Sequence, residues 1–244
     1  MPAPVFLQPD WPAPAHVRAV MTTRAGGVSG GHYASFNLAS HVGDDETAVA
    51  ENRRRLRSAL QIPSGPAWLE QVHGVDVAVV PGPRSGSADA AVSFERGGVC
   101  AVLVADCLPV FLASRDGDRV GLAHAGWRGL AAGVVEATVA ALDCDPAKLV
   151  AWLGPSIGPA AFEVGAEVRE AFAVQDPGAA ADFRAGREGR FLADLPALAR
   201  RRLAACGVPS VHGGGLCTYT DRQRFFSYRR DGATGRMAAL AWLA

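Results

Sequence analysis

The sequence predicts one α/β-type domain built on mixed or antiparallel sheets, and three observations carry that expectation. The chain has 244 residues, 49% hydrophobic and 20% charged, without a linker, repeat or break in composition. That is an ordinary globular make-up, long enough to bury a proper core. Several short apolar runs follow one another directly between residues 88 and 125, and only three stretches carry clear helical character. Strands that neighbour one another, instead of alternating strictly with helices, favour mixed or antiparallel sheets over a doubly wound fold.

Taken in order, residues 1–16 are Pro-rich and read as an N-terminal surface segment. "RAVMTTR" reads as a strand ending at Arg24, followed by the long loop "AGGVSGGHYASFNLASHVGDD". Loops beyond about 12–15 residues in a compact domain are often functional. Asp44 or Asp45 is placed to cap "ETAVAENRRRLRSAL", whose apolar positions recur at helical spacing. "AWLEQVHG" and "VDVAVVP" read as strands joined at Gly74, followed by the strands "ADAAVSFE", "VCAVLVADC", "PVFLASR" and "RVGLAHAG". "GLAAGVVEATVAALD" is an Ala-rich helix, and "KLVAWLGPSIG" is a strand running into a turn. "ADLPALARRRLAACGV" is a helix stopped by Gly207. Residues 176–190 read as irregular, and "RFFSYRRDGATGRMAALAWL" as a closing hairpin.

Lys+Arg and Asp+Glu both number 24, so the formal net charge is zero and no electrostatic footprint for nucleic acid is present. Basic runs such as "NRRRLR" read as solvated helix faces. The five cysteines are odd in number and scattered, with no C-x-x-C pair, which argues against a disulfide framework. No signal-peptide pattern and no apolar run of bilayer length is visible. These features predict a soluble cytoplasmic protein with no membrane partner, monomeric or a small homo-oligomer.

Three reactive groups share one setting. His73 ends "AWLEQVH" before Gly74, Cys107 ends "VCAVLVADC" before Leu108-Pro109, and His124 sits in "GLAHAGW" before a turn. Two imidazoles and a thiolate suit Zn²⁺, and three protein ligands leave one tetrahedral position open, as in catalytic sites. The spacings match no local metal motif, so from residue chemistry alone Cys107 as a small buried hydrophobe, with two hydrogen-bonded histidines, stands as the alternative. A cysteine hydrolase, with Cys107 as nucleophile and His73 or His124 as base, is a further reading.

The motifs "TTRAGGVSGGHYASFNLASHVGDD", "NRRRL", "WLEQVHG", "VADCLPVFL", "AHAGWRGL", "GPSIG" and "FFSYRRDGATGRMA" occur in one order. Together they resemble the bacterial laccase-domain family, also called multicopper polyphenol oxidases, from about Arg18 to Leu243. The resemblance implies an α+β fold with mixed sheets packed as a sandwich and flanking helices. It also implies a zinc site on His73, Cys107 and His124. Members are described as purine nucleoside phosphorylases acting on adenosine, inosine, guanosine and methylthioadenosine, with adenosine deaminase activity. The implied partners are therefore purine nucleosides and phosphate.

Arg24, Asn37, His41 and Arg128 are the candidate substrate contacts: Arg24 and Arg128 as anion clamps, Asn37 and His41 as polar contacts on the long loop. Each also has a structural reading, as an ion pair, a turn or a cap. Asp106 and Glu70 are candidate acid–base groups that strand alternation turns away from the ligands. Phe36, Trp68, Trp127, Phe162 and Phe226 could stack a base or fill the core, and Ser227 and Arg229 could pair at the surface or touch substrate. Copper oxidation of phenols sits poorly with six histidines and no H-x-H pair, although Cu²⁺ can occupy a His₂Cys set in vitro. The family's link to cell-wall editing keeps a metal-dependent amide hydrolase as another alternative.

Overall fold

The apolar runs become two facing sheets. The computed structural model describes residues 3–62, 64–82 and 86–244. In chain order the elements are β1 (Phe6–Leu7), β2 (Val17–Thr22), α1 (Glu46–Leu60), β3 (Ala67–Trp68), β4 (Val77–Val79), β5 (Ala90–Ser93), β6 (Val99–Val104), β7 (Leu108–Ser114) and β8 (Val120–Ala125). There follow α2 (Trp127–Ala132), α3 (Val134–Ala141), β9 (Leu149–Leu153), β10 (Glu163–Gly165), α4 (Ala166–Ala173), β11 (Phe183–Ala185) and β12 (Arg190–Ala193). The last are α5 (Leu195–Ala205), β13 (Ser210–Gly213), α6 (Tyr228–Asp231) and β14 (Met237–Leu243).

One sheet runs β1-β2-β14-β6-β3 and the other β13-β9-β7-β8-β5-β4. Both are mixed: β3 lies parallel to β6, β13 to β9 and β4 to β5, while the remaining pairs are antiparallel. Alternate residues along each strand explain the layering. Val102, Val104, Met21 and Ala239 face Phe111, Leu122, Val150 and Trp152 across the middle of the sandwich. The intervening Ala101 and Leu103 turn outward, with Val20 and Leu240, onto Leu56 of α1 and onto Phe36 and Leu38 of the long loop. On the far side, Val110, Leu112, Ala123 and Leu149 meet Leu130, Val134 and Val135 of α2 and α3 and Leu203 of α5. The result is an α/β/β/α sandwich, as the resemblance implied.

Helix ends follow local chemistry. Of the two candidate caps, Asp45 receives the Ala48 amide, whereas Asp44 accepts from Ser29 and Asn37. Gly207, at φ +83°, follows the last turn of α5 as expected.

Three expectations are corrected. The Ala-rich helix breaks at Gly133, whose φ of +106° ends α2 and starts α3. The closing hairpin has only its second arm: Phe225 and Phe226 are buried in irregular chain and Tyr228–Asp231 is a helical turn. Residues 176–190 are not irregular; they carry a 3₁₀ turn and β11, which with β10 and β12 forms a small third sheet. The N-terminal segment has no buried residue over 3–16 and is tied down at two points, since β1 pairs with β2 and Trp11 packs against the inter-sheet core; its residues 1 and 2 lie outside the described residues.

Candidate metal centre and its cleft

The site sits where both sheets deliver chain ends to one mouth. β6 stops at Val104 and β7 starts at Leu108, so the chain reverses through Ala105, Asp106 and Cys107. Asp106 takes φ +90°, a left-handed conformation costly for any side chain other than glycine. Its neighbours hold it there: Oδ1 accepts from Thr218 Oγ1 at 2.6 Å and Oδ2 from the Arg229 amide at 2.7 Å, while its carbonyl accepts from the Ile157 amide at 2.9 Å. This tight turn brings Cys107 into the cleft. It also commits the Asp106 carboxylate to the scaffold, so Asp106 is no free acid or base.

His124 lies within β8, opposite Pro109 of β7, and is 3% exposed. His73 is not at a strand end, because β3 is only Ala67–Trp68; it sits in a turn at φ +62°. Gln71 anchors that turn to β6, donating to the Leu103 carbonyl and accepting from the Leu103 amide at 2.9 and 2.7 Å.

The ligand atoms of His73, Cys107 and His124 lie within 4.8 Å of one another. Cys107 Sγ is 3.7 Å from His73 Nε2, and the two imidazoles meet edge to face with centroids 4.8 Å apart. Tetrahedral zinc with Zn–S near 2.3 Å and Zn–N near 2.0–2.1 Å places its ligands about 3.5 Å apart, so the donor set fits the ion in kind and spacing. Gly126 leaves room for it: a Cβ there would meet His73 Cδ2 at 2.6 Å and Cys107 Sγ at 3.0 Å.

A residue absent from the sequence expectations organises the cluster. Asp89, 0% exposed, accepts from four donors. Oδ1 takes His124 Nδ1 at 2.8 Å and the His73 amide at 2.9 Å; Oδ2 takes the Val72 and Gly74 amides at 3.0 and 2.7 Å. Its only sequence signal is an acid opening an otherwise apolar strand. Burial pushes its pKa up, but the His124 and amide hydrogen bonds outweigh this and the net shift is downward. In the metal-free cluster burial also opposes charge on Cys107 and His124, and each overcomes that through the other. His124 and His73 hold the Cys107 thiol at about 6, and Cys107 with Asp89 raises His124 to about 9.

The cluster opens into a cleft of about 500 Å³ whose walls include His41, Trp127, Arg128, Phe162, Tyr228, Arg229 and Arg236. Of the four candidate substrate contacts, His41 and Arg128 are there. Arg24 and Asn37 are elsewhere. Arg24 donates to the carbonyls of Ala34 and Arg222 and covers the Phe226 ring at 4.6 Å. Asn37 is fully buried and bonds Ala39, Asp44 and the Arg236 amide, which makes it a fastener for the long loop. Among the aromatic candidates Phe36 and Phe226 are core, whereas Trp127 and Phe162 line the cleft. Ser227 caps α6 through the Arg230 amide. Glu70 faces a separate cleft beside β4.

Arg236 and Tyr228 are additions that the sequence reading did not single out. Among the described residues no carboxylate forms an ion pair with Arg128, Arg229 or Arg236. Arg128 lies over Trp127, Arg229 over Phe162 and Arg236 over Tyr228. Backbone carbonyls position two of them: Glu163 for Arg229, Thr234 and Gly235 for Arg236. Burial lowers the pKa of Arg236, opposed by the negative groups Cys107 and Asp106. Burial, then the nearby Arg236 and Arg53, lower that of His41.

The family described as multi-copper polyphenol oxidoreductase laccase matches residues 18–244. A Pseudomonas aeruginosa protein named purine nucleoside phosphorylase is 54% identical over 239 residues, covering 98% of both chains. An Escherichia coli K12 protein of that name is also 54% identical over 240 residues, again covering 98% of each. Among solved structures, a Neisseria meningitidis protein is 50% identical with a TM-score of 0.93 over 98% of both chains. A Geobacillus stearothermophilus protein is 34% identical with a TM-score of 0.89, covering 98% of this chain and 99% of that one.

Proposed function

This chain belongs to the multi-copper polyphenol oxidoreductase laccase family, and from that premise we propose that it is a zinc-dependent purine nucleoside phosphorylase. The observation that carries the proposal is the meeting, in one cleft, of a three-ligand metal cluster with three guanidiniums that, among the described residues, form no ion pair with a carboxylate. The name given to the relatives points the same way. The oxidase chemistry in the family's description finds little support. The other histidines are dispersed: His16 bonds the Gly117 carbonyl and His212 bonds Ser210, and among the described residues no His-rich second cluster accompanies the first.

Phosphorolysis exchanges one bond for another at ribose C1′. A phosphate oxygen attacks C1′ as the bond to purine N9 breaks, and the leaving base takes a proton. Arg128, Arg229 and Arg236 hold the phosphate dianion; Arg fits phosphate with paired donors. Arg236, half-buried, is partly withdrawn from water, which strengthens its attraction. Trp127, Phe162 and Tyr228 offer flat faces to the purine. His41, held toward its neutral form by burial and then by the positive charge of Arg236 and Arg53, can exchange a hydrogen bond with base or sugar. A bound zinc would supply Lewis acidity toward a substrate oxygen. Adenosine deamination is read from the same three-ligand set, which leaves a position for water as well as substrate. The five cysteines are free, which suits a reducing cytoplasm, and among the described residues no helix is long and apolar enough to cross a membrane.

The test is turnover by zinc-loaded protein with adenosine or inosine, with and without phosphate, read by mass spectrometry. Phosphate-dependent release of free base and ribose 1-phosphate, absent in Cys107→Ala, is the expected outcome. A thiolate paired with an imidazolium also suits a cysteine hydrolase; activity on peptide amides that survives metal removal would replace the phosphorylase reading with that one.

A further inference from the structure

We infer that Asp89 is the positioning residue of the metal centre: its carboxylate sets which nitrogen of His124 faces the metal and, through the chain turn at residues 72–74, where His73 stands. This rests on the metal reading of the site and is independent of what the substrate is.

The geometry makes the carboxylate irreplaceable by its nearest relative. Four donors converge on two oxygens, and three of them are backbone amides, whose hydrogens cannot be moved elsewhere. A carboxylate is acceptor-only and can receive all four. An asparagine cannot, in either orientation. With its NH₂ in the Oδ2 place, two donors face the Val72 and Gly74 amides. With its NH₂ in the Oδ1 place, it faces the His73 amide and donates to His124 Nδ1. The second arrangement puts the imidazole proton on Nε2, the nitrogen that Asp89 otherwise leaves free for a ligand bond. Loss of the correct tautomer through Asp→Asn exchange is a known way to disable a histidine while keeping its place. His124 is held a second time, by its own amide on the Asp89 carbonyl at 2.7 Å. One residue therefore fixes the ring, the backbone beneath it and the neighbouring ligand's turn. Burial of Asp89 leaves no water to substitute for a lost acceptor, so each unpaired amide would bear its full desolvation cost.

The experiment is zinc affinity of the full chain, measured after chelator stripping by competition with a chromophoric chelator, for wild type and Asp89→Asn. Cobalt spectra of both, normalised per bound metal, are the second readout. Zinc affinity about 10–100-fold weaker in the variant, the range for lost outer partners of metal-bound histidine, with an altered cobalt spectrum, is expected. A purely structural Asp89 would lower thermal stability while leaving the per-metal spectrum and the affinity of the folded fraction unchanged, and that result overturns the inference. Should Asp89→Asn not fold, ¹⁵N-histidine NMR of zinc-loaded wild type decides the matter. A protonated His124 Nδ1 with a metal-shifted Nε2 supports the inference; zinc on Nδ1 overturns it. A wild-type chain that takes up no zinc sinks the metal reading and this inference together, whereas inert nucleosides leave both standing.

Discussion

The two ends of the cleft are built in opposite ways. At the metal end the polar groups are committed: Asp89 receives four donors, the Asp106 turn is held by Thr218, Arg229 and Ile157, and Gly126 admits no larger residue. At the other end Arg128, Arg229 and Arg236 lie on aromatic rings and carbonyls and, among the described residues, form no ion pair with a carboxylate. A centre that must hold a cation in one geometry needs every supporting donor spoken for, because a half-satisfied buried network is unstable. On the proposed phosphorylase reading the other end must exchange anions and needs the reverse, since an internal carboxylate would compete with each incoming phosphate.

Breaking the committed end has the largest effect. Cys107→Ala removes the thiolate, and zinc binding should fall by more than the roughly 100-fold typical of outer-partner losses, taking phosphorolysis with it; chelator competition and product analysis read both. Gly126→Ala should follow, because its Cβ would overlap His73: zinc affinity drops by about 10-fold or more, while far-ultraviolet dichroism stays as in wild type. Breaking the open end leaves the metal alone. Arg236→Met should raise KM for phosphate by about 10–100-fold, from the ~1.5–3 kcal/mol of a charge-assisted hydrogen bond, with zinc stoichiometry unchanged.

The comparison sharpens in the metal-free protein. Cys107 is held at about 6 instead of the usual 9, and His124 is raised to about 9. Alkylation by iodoacetamide should therefore reach half its maximal rate near pH 6. The linked stability follows in sign. A depressed thiol pKa contributes stability that is lost as pH falls through about 6; a raised imidazole pKa contributes stability that is lost as pH rises through about 9. Between the usual imidazole value of 6.5 and about 9 the rising thiol contribution offsets the falling imidazole one, so the melting temperature of metal-free protein should change little across that window, and a steep slope of either sign there would show the pair is not formed. The smallest effect belongs to Arg24→Gln, outside the cleft. It should cost about 1–2 kcal/mol of stability from the lost carbonyl and ring contacts, read by denaturant melts, and leave KM for phosphate unmoved.

Much of this was legible in the residues. The central strands are near-continuous apolar runs, so β5 to β9 announce themselves, and Cys107 and His124 stand out because reactive groups end or interrupt those runs, while His73 was read at a strand end that is in fact a turn. Asp89 stayed hidden for the same reason that makes it effective: an acid opening a strand reads as a turn residue until the chain at 72–74 folds onto it. The small third sheet was missed because β11 and β12 are short and only partly buried, without the alternation that marks a strand. The closing hairpin was misread because "RFFSY" has strand composition, yet Phe225 and Phe226 are buried as irregular chain, with the Phe226 amide on Met237 sulfur. Arg24 looked like a clamp because it precedes glycines, and only tertiary contacts show that its Nε and Nη1 donate to the carbonyls of Ala34 and Arg222 outside the cleft.

β14 carries a consequence for synthesis. It is the last strand in sequence and the middle one of its sheet, hydrogen-bonded to β2 on one side and β6 on the other. Until residues 237–243 leave the ribosome, those two apolar strands face each other across a gap with their edges bare. A nascent chain in that state is an aggregation hazard, and Arg236, immediately before β14, cannot take its place in the cleft. The sheet and the anion end of the cleft are therefore finished in a single late event, and a chain released before Met237 should be recovered insoluble and metal-poor alike.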